Sequence, residues 1–377
     1  MHATWIEISA SAFNHNVEMI FHCTQRSLAA VIKSHAYGHG LCEIAFLCDK
    51  NPYIDLLCVT TGKEVAALRE YGIRKPILVL MPDYTSIKEC MIYDNVILSV
   101  SHKDYLYEIT QQVDSPLVPI HIKVDTGLSR FGFASHEIPA LFALCDRLSS
   151  ITVHGIYSHF AHVYDTDAVT SYAHEQYKQF QTVITYCTTM RQQPLSAIHM
   201  SNTVGGLLYD IPQCSHVRIG IGLYGIWPSL DEKRAICVRY PLLTLKPVLS
   251  WKTRIIELRT VSQGTSIGYS CTYRAPRAMR IAVLPIGYSD GYNFAFSNGV
   301  GYVMMGEYKA PVVGRICMNA TIIDVTDIPD SLYHNEVTVI GGHYGPSVET
   351  VCLAAQIVNV RTFLTGINAS IPRLLVA

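Results

Sequence analysis

Lys33 is the residue whose position most clearly points to chemistry. It ends the apolar run LAAVIK, residues 28–33, and the polar segment SHAYGHG follows it. A lysine at the end of an apolar strand is poorly solvated, which lowers its pKa and makes its amine a candidate nucleophile for imine formation. The same position also fits a lysine whose stem packs on a barrel rim while its ammonium reaches solvent.

A glycine-rich segment further along the chain could bind phosphate. IGIGLYG contains Gly220, Gly222 and Gly225 at the G-x-G-x-x-G spacing of dinucleotide-binding loops. We discount a dinucleotide site because no acidic residue ends a strand about 20 residues later. Glycine-rich backbone after the last strands of a barrel still binds phosphate through free N–H groups. A phosphate-bearing cofactor beside an imine-forming lysine indicates pyridoxal phosphate.

Basic, imidazole and amide side chains recur where apolar runs end. They stand at Lys33, at residues 123–130, 158–160 and 201–203, and at Arg218. Because the carboxyl ends of parallel barrel strands meet at one mouth, we expect these groups to surround one anionic ligand.

Two histidine pairs have the spacing of metal ligands, as in a metal-dependent barrel hydrolase. They are His35 with His39 and His159 with His162. The eighth run offers Arg218 instead of a further ligand, so we predict no metal site.

The spacing of the apolar runs predicts the scaffold that positions these groups. Eight runs occur, at 28–33, 55–60, 76–81, 95–100, 118–124, 151–157, 197–200 and 216–221, with helical patterns at Lys63–Tyr71, His102–Gln112, Ile138–Leu148 and His174–Met190. Strands that are apolar on both faces and alternate with helices predict an α/β fold, a (β/α)8 barrel of the TIM type.

Beyond Pro228 the pattern changes to short strands and turns rich in glycine, asparagine and proline. One amphipathic helix is predicted near Glu349–Phe363. We therefore predict an α/β plus β chain with two domains. A cofactor-binding barrel spans residues 8–235, and a mostly β domain spans residues 236–377 together with the N-terminal strand 1–7.

Composition excludes several other classes of protein. The 377 residues are 49% hydrophobic and 16% charged, with a net charge of −1, so the chain is not disordered. A charge near zero gives no field that attracts nucleic acid or an anionic membrane surface. The 12 cysteines form no C-x-x-C pair, and no apolar run reaches about 18 residues. We expect reduced thiols, a cytoplasmic setting and no membrane contact within this chain.

Several long motifs resemble those of alanine racemases. VIKSHAYGHG resembles their cofactor-lysine motif V-x-K-A-N-A-Y-G-H-G, IKVDTGLSRFG resembles K-V-D-T-G-M-x-R-x-G, and VRIGIGLYG resembles R-P-G-I-x-x-Y-G. HFAHVYD, SNTVG, TSIGYSCTYRA, PIGYSDGY and GRICMN match further segments in order, so the resemblance runs from about Trp5 to Arg373. It implies a pyridoxal-phosphate-dependent amino-acid racemase, which is an isomerase.

The resemblance also implies which residues bind the cofactor. Lys33 would bind pyridoxal phosphate as an imine, Tyr37, Thr203, Gly220 and Ile221 would hold its phosphate, His159 would lie near its ring, and Arg218 would face its pyridine nitrogen. An arginine there cannot readily protonate the ring, so the cofactor is a weaker electron sink.

Racemisation requires a base on each face of the substrate's α-carbon, since a single fixed base returns the proton to the side it left. The resemblance implies that Lys33 serves one face. Tyr269 of the β domain would serve the other from the partner subunit, which makes the working unit a homodimer. Taken alone, a tyrosine in IGYSCTY is more typical of a buried strand aromatic.

Further roles concern the substrate. Arg130 would hold the cofactor's phenolic oxygen and the substrate carboxylate, a charge-assisted role suited to guanidinium. Lys123 matches a lysine that is often carbamylated, and the added negative charge would orient Arg130. Met318 would offer its backbone N–H to the carboxylate, and Tyr288 would line the entrance.

Four positions depart from the usual family pattern. The motif reads K-S-H where K-A-N is common, Thr203 replaces a serine, Asn319 replaces an aspartate, and INASIPR lacks a phosphate-binding tyrosine, with Asn368 or Ala369 in its place. Loss of the phenol would leave a roomier, more polar pocket that favours a hydroxymethyl side chain. Together the departures resemble the serine/alanine racemases of vancomycin-resistance clusters, whose racemase domain is fused to a membrane domain.

We therefore predict interconversion of L- and D-serine, with alanine also accepted, in a cytoplasmic protein or the cytoplasmic domain of a membrane protein. An ordinary alanine racemase that makes D-alanine for peptidoglycan is the alternative. A non-catalytic barrel that binds pyridoxal phosphate is a further alternative, although such proteins lack a β domain. A metal-dependent barrel hydrolase with a carbamylated Lys123 is the last.

Overall fold

The chain forms a parallel barrel followed by a mostly β domain, as seen in a computed structural model. The structure describes residues 3–113, 117–163, 171–190, 194–334 and 336–377. The last two residues of the HFAHVYD segment, 164 and 165, lie outside the described residues. Within these ranges, no helix combines the length and apolar character needed to cross a bilayer.

Eight parallel strands make the barrel wall. After β1 (Thr4–Ser9) come β2 (Ser27–Val31), β3 (Ile54–Val59), β4 (Ile77–Val79), β5 (Val96–Val100), β6 (Val118–Asp125), the short β7 (Phe133–Ala134) beside it, β8 (Ile151–Tyr157), β9 (Ala197–His199) and β10 (His216–Ile219). They pair in the order β10-β2-β3-β4-β5-β6-β8-β9. Between β9 and β10, the Ser215 N–H donates to the Ile198 carbonyl at 2.9 Å. The eight predicted strands and the barrel fold are confirmed.

Helices connect the barrel strands and cover their outer face. They are α1 (Ala10–Thr24), α2 (Lys33–Tyr37), α3 (Leu41–Lys50), α4 (Gly62–Glu70), α5 (Ile87–Met91), α6 (Lys103–Gln112), α7 (Ile138–Cys145), α8 (Tyr172–Met190), α9 (Thr203–Leu208) and α10 (Leu230–Arg239). The four predicted helices are confirmed as α4, α6, α7 and α8, with ends that differ by a few residues. In α6, for example, the spacing of Tyr105, Leu106 and Ile109 buries one face.

The barrel interior divides into two halves. Strands β2 to β5 contribute an apolar half, a separate buried cluster of Ala29, Val31, Leu56, Cys58, Leu78 and Ile97. Strands β6, β8, β9 and β10 contribute a polar half, made of His121, Lys123, Tyr157, His199 and Arg218, which are all buried. Along these strands, the residues between those of the apolar half point outward to the helices and belong to the main core.

The second domain is mostly β, as predicted. Its strands are β11 (Leu249–Thr253), β12 (Glu257–Val261), β13 (Ser266–Ile267), β14 (Tyr273–Arg274), β15 (Met279–Leu284), β16 (Tyr302–Met305), β17 (Tyr308–Pro311), β18 (Thr321–Asp324), β19 (Val337–Gly341) and β20 (Arg373–Val376). One sheet has the order β17-β16-β19-β11-β1-β20, and a second has the order β12-β15-β18. Strand β1 lies antiparallel to β11 and parallel to β20, so the start of the chain is hydrogen-bonded into this domain's sheet.

The single helix predicted near Glu349–Phe363 is wrong. The structure has two helices, α11 (Val348–Ala354) and α12 (Val360–Thr365). Gln356 adopts a left-handed conformation with φ of 56°, which ends the helical path. Asn359 then accepts a hydrogen bond from the Arg361 N–H at 3.1 Å and caps the second helix.

Candidate active site

A cavity of about 360 Å³ opens where the barrel strands end. It is lined by nine of the residues singled out in the sequence, namely Lys33, Tyr37, Lys123, Arg130, His159, Thr203, Arg218, Gly220 and Ile221. Five basic side chains line it, two lysines and the three arginines Arg130, Arg218 and Arg361, whereas Glu232 is the one carboxylate among the described lining residues. Such an imbalance favours a ligand that carries several negative charges.

A strained turn carries Lys33 to this cavity. Ser34, His35, Ala36 and Tyr37 all have φ between 51° and 56°, so the short element α2 winds with the left hand. Left-handed backbone costs an L-residue roughly 1–2 kcal/mol, so the surroundings must hold this turn in place. The turn brings both Lys33 and Tyr37 to the cavity wall.

Glu64 fixes the start of the left-handed turn. Its Oε1 accepts a hydrogen bond from the Ser34 N–H at 2.7 Å, and its Oε2 accepts one from the Thr60 N–H at 2.7 Å. The same carboxylate completes the capping box with Thr61 at the start of α4. One side chain thereby joins the loop ends after β2 and β3.

The β domain holds the other end of the turn. The Arg373 guanidinium donates to the Gly38 carbonyl at 2.9 Å and 3.3 Å. A Cβ on Gly38 would lie 2.1 Å from the Leu364 carbonyl oxygen, so α12 packs directly against this backbone. Gly38 also has φ of 83°, and both features require glycine.

The surroundings of Lys33 favour its neutral amine. Burial lowers the pKa of Lys33, and the positive charges of Arg130 and Arg218 lower it further, while Glu64 acts in the opposite direction. A neutral amine is the form that attacks a carbonyl or accepts a proton. The pKa argument made from the sequence is therefore supported by the residues that surround Lys33.

The glycine-rich segment after β10 forms a cradle beside Tyr37. The Thr203 hydroxyl accepts from the N–H groups of Gly220 and Gly222 at 3.3 Å and 3.5 Å. A Cβ on Gly220 would lie 2.7 Å from the Tyr37 hydroxyl, so a side chain there would fill the space between them. Close backbone approach, two hydroxyl groups and nearby cations fit a phosphate group.

Arg218 is the centre of the polar half. One of its Nη atoms donates to the Ser158 and Met200 carbonyls at 2.7 Å and 3.0 Å and contacts His159 Nδ1 at 2.9 Å. The other Nη contacts His199 Nδ1. Since arginine can only donate, both histidine Nδ1 atoms accept, and both rings are neutral.

The pKa values in the polar half agree with neutral histidines. Burial, reinforced by Arg218, lowers the pKa of His159 and of His199 well below the usual range. The remaining nitrogen of His199 then carries a hydrogen and donates to His121 Nδ1 at 3.1 Å. The result is a fixed chain of donors and acceptors behind the cavity.

Lys123 is almost fully buried, whereas Arg130 is exposed at the cavity rim. The Lys123 amine donates to the Val124 carbonyl at 2.6 Å and lies 5.5 Å from the centre of the Tyr157 ring. Burial lowers its pKa to about 7, and Arg218 acts in the same direction. A lysine with this pKa carries a substantial fraction of neutral amine at neutral pH.

The β-domain residues predicted for the site do not line the cavity of their own chain. Tyr288, Met318, Asn319 and Asn368 lie together around Ser289: the Met318 carbonyl accepts from the Ser289 hydroxyl at 2.8 Å, and the Asn319 amide donates to that hydroxyl at 2.7 Å. Tyr269 is 70% exposed on a separate turn of the same domain, where Arg315 donates to the adjacent Ser270 at 2.9 Å.

Neither Asn368 nor Ala369, the residues expected in place of a tyrosine, lines the cavity of its own chain. The Asn368 amide donates instead to the Ser289 carbonyl at 3.2 Å, because the INASIPR segment leads into β20 at the edge of the sheet. From the C-terminal part of the chain, Arg361 on the preceding helix α12 lines the cavity.

Sequence reasoning also missed Glu232, which lines the cavity from α10 and is buried. Its Oε2 has no hydrogen-bond partner among the described residues. Glu232 gives no sequence signal in the polar helix LDEKRAICVR, since Asp231 and Glu232 both suit the first turn of a helix. Arg361 offered a weak signal as the one charge in VRTFLT.

The described residues contain no group of three or more His, Cys, Asp or Glu side chains that could hold a metal ion.

Comparisons with known proteins cover nearly the whole chain. Residues 8–228 match the family described as alanine racemase, N-terminal domain, and residues 248–375 match alanine racemase, C-terminal domain. An alanine racemase of Halothermothrix orenii is 34% identical over 377 residues, covering 98% of this chain and 96% of its own length.

Solved structures give the same result. An alanine racemase of Clostridium difficile 630 superposes with a TM-score of 0.89 and 25% identity, covering 100% of this chain and 96% of its own. A histidine racemase of Leuconostoc mesenteroides subsp. sake superposes with a TM-score of 0.85 and 26% identity, covering 100% of this chain and 98% of its own. Solved structures with this fold are thus named for more than one amino-acid substrate.

Proposed function

The chain belongs to the alanine racemase family, and from that membership we propose that it interconverts the L- and D-enantiomers of alanine. Its activity as a pyridoxal-phosphate-dependent racemase follows from the family, whose members act on small amino acids. The single observation that supports the site is the cavity in which Lys33, a phosphate-sized cradle and Arg218 meet.

The residues around the cavity suit pyridoxal phosphate. Lys33 would hold its aldehyde carbon, Tyr37 and Thr203 with the backbone at Gly220 and Ile221 would hold the phosphate, and Arg218 would donate to the pyridine nitrogen. When bound, the cofactor supplies the electron sink that acidifies the α-hydrogen of an amino acid. His159 accepts from Arg218 and keeps that guanidinium aimed.

Proton transfer needs one group on each face of the α-carbon. The Lys33 amine, with its lowered pKa, is suited to take or return a proton at Nζ. Tyr269 is suited to the other face because it projects from the β domain and is 70% exposed, so a partner subunit can receive its hydroxyl. We infer a homodimer in which each site uses Lys33 of one subunit and Tyr269 of the other.

The remaining groups would orient the substrate. Arg130 at the rim is a bidentate donor for a carboxylate. The neutral amine of Lys123 can add carbon dioxide, forming an N–C bond and releasing one proton to give a carbamate. A carbamate there would place a negative charge between Arg130 and the polar half, and Met318, Asn319 and Tyr288 would meet the substrate from the partner.

Serine remains the second candidate substrate, on weaker grounds than the departures in sequence implied. Asn368 does not line the cavity of its own chain, and it lies beside Ser289 with the β-domain residues that would meet the partner's site. The relatives reported above are alanine racemases and a histidine racemase, and they lend no support to the membrane-bound subtype of vancomycin-resistance clusters. We therefore place alanine before serine.

The substrate is tested by competing steady-state kinetics. We expect kcat/KM for L-alanine to exceed that for L-serine by at least about tenfold, because discrimination between side chains that differ by one small group is typically worth about 10- to 100-fold. Equal or reversed values would show that serine is the preferred substrate. Lys33→Ala should abolish both activities, which identifies them with this site.

The shared site is tested by mixing two inactive variants. Lys33→Ala and Tyr269→Phe chains that exchange subunits form a mixed dimer with one intact pair, so about a quarter of the activity should return. No recovery after verified exchange would mean that Lys33 and Tyr269 act within one chain. Activity of Tyr269→Phe before mixing would mean that Tyr269 is not required.

A further inference from the structure

Helix α12 of the β domain brings a cation to the barrel cavity that the family motifs do not predict. Arg361 lines the cavity together with Lys33, Tyr37 and Gly220. The helix is held there because the Leu364 carbonyl packs against Gly38 in the strained turn. Among the described residues, the Arg361 guanidinium has no hydrogen-bond or ion-pair partner, so its donors are free for a ligand.

The position of Arg361 relates it to the phosphate cradle. Burial raises the pKa of the Tyr37 phenol, and the nearby positive charge of Arg361 opposes that rise. Tyr37 in turn faces Gly220, the residue whose missing side chain leaves room for the phosphate. Arg361 therefore belongs to the cradle end of the cavity.

A buried carboxylate lines the same cavity. Glu232 is 4% exposed, and its Oε2 lacks a hydrogen-bond partner among the described residues. Leaving such an oxygen without a donor costs free energy, so a donor is expected to reach it. A guanidinium has five N–H donors, enough to meet a carboxylate on one side and a phosphate on the other.

We propose that Arg361 is a direct ligand of the cofactor's phosphate in this chain, in place of a tyrosine phenol, and that Glu232, which is not paired with it in this structure, becomes its positioning residue when the phosphate is bound. The proposal rests on the proposed function, because the ligand is pyridoxal phosphate. A guanidinium makes two parallel hydrogen bonds to phosphate oxygens and adds a full charge, which a phenol does not.

The test compares two cofactor forms that differ only in the phosphate. Binding of pyridoxal phosphate and of pyridoxal is titrated through visible absorbance and quenching of intrinsic fluorescence. In Arg361→Ala, we expect the Kd for pyridoxal phosphate to rise about 10- to 100-fold, as for loss of a charge-assisted hydrogen bond, and that for pyridoxal to change less than about twofold. Arg361→Lys should recover part of the loss.

Arg234→Ala is the matched control, since it removes an exposed arginine from α10, paired with Asp231 on the helix surface. It should leave both Kd values unchanged. Equal weakening of both ligands in Arg361→Ala, or no weakening, would overturn the role of Arg361. Failure of the unmodified protein to bind pyridoxal phosphate would overturn the proposed function as well, which separates the two results.

Glu232→Gln tests the positioning role. If Glu232 holds Arg361, the neutral amide should weaken pyridoxal phosphate binding about two- to fivefold and have no added effect in the Arg361→Ala background. Tighter binding in Glu232→Gln would show that the carboxylate merely repels the phosphate, and it would overturn that part of the proposal.

Discussion

The two halves of the barrel interior share one backbone scaffold and differ in almost every other respect. The apolar half on β2 to β5 is filled by aliphatic side chains and Cys58, and the Ser99 hydroxyl marks its border with the polar half. The polar half on β6 to β10 buries two histidines, a lysine, a tyrosine and an arginine. The parallel ladder accepts either filling, because the backbone satisfies its own donors and acceptors in both.

The difference shows what a buried functional network requires. Arg218 is 3% exposed, and its Nη atoms donate to two carbonyls and two histidine nitrogens. Both buried Nη atoms therefore have acceptors. Networks in which every polar group has a partner fix one geometry, whereas an apolar core tolerates substitution by side chains of similar volume. The apolar half stabilises the barrel, and the polar half also aims the groups that face the cofactor.

The largest expected effect comes from comparing one substitution in each half of the barrel interior. Arg218→Leu leaves the acceptors of Ser158, Met200 and both histidines without a donor, so the free energy of unfolding should fall by about 2–4 kcal/mol. Racemase kcat should fall at least about 100-fold, since a preorganised donor is lost. Leu56→Ala in the apolar half should cost about the same stability through a cavity, yet keep kcat within about threefold.

Urea unfolding and racemase assays on both variants provide the measurement. If Leu56→Ala impaired kcat as severely as Arg218→Leu, the functional distinction between the halves would be false.

A pH titration of stability isolates Lys123 within the polar half. The folded pKa is about 7 and lies below the ordinary value near 10.4, so between these values the unfolded chain holds a proton that the folded chain lacks. The free energy of unfolding should therefore rise with pH across this window and carry the full penalty below it. Lys123→Met should remove that rise, whose total across the window is at most about 5 kcal/mol.

The comparison is made in buffers free of carbon dioxide, and repeated with added bicarbonate. Carbamylation would flatten the slope of the unmodified protein and leave Lys123→Met unchanged. Identical slopes for the two proteins without carbon dioxide would refute the lowered pKa.

The smallest effect concerns the bond that joins the halves. Ser99 at the end of β5 meets the Tyr157 hydroxyl at 2.5 Å in a fully buried setting. Ser99→Ala should cost about 1–2 kcal/mol because the phenol loses its partner, with little change in kcat. Tyr157→Phe added to it should restore part of the loss, and strict additivity in this double-mutant cycle would contradict the pairing.

Much of the scaffold could be predicted because it repeats. The apolar, β-branched runs of the eight barrel strands and the periodic helices between them are local signals. The break between α11 and α12 gave no such signal: the apolar pattern continues through it, and only the left-handed Gln356 and the Asn359 cap interrupt the helix.

The site was predictable in part for the same reason. Lys33, Thr203 and Arg218 follow from their places at strand ends and from the motifs around them. Arg361 did not, because it lies on the short helix α12, whose start was hidden in the single longer helix that the pattern predicted. Asn368 did not either, because the segment between α12 and β20 has no periodic pattern that tells which residue faces the barrel. The left-handed path of residues 34–37 is equally invisible, since none of those four residues is glycine.

The hydrogen bonds that fasten the Lys33 turn can form only late during synthesis of the chain. Gly38 and Arg373 are separated by 335 positions, so the guanidinium that fastens the turn leaves the ribosome long after the lysine does. Until then, Lys33 has been synthesised, but its turn is not yet held in position. The Lys33 turn is therefore fastened only after Arg373 has been synthesised and the β domain has docked on the barrel.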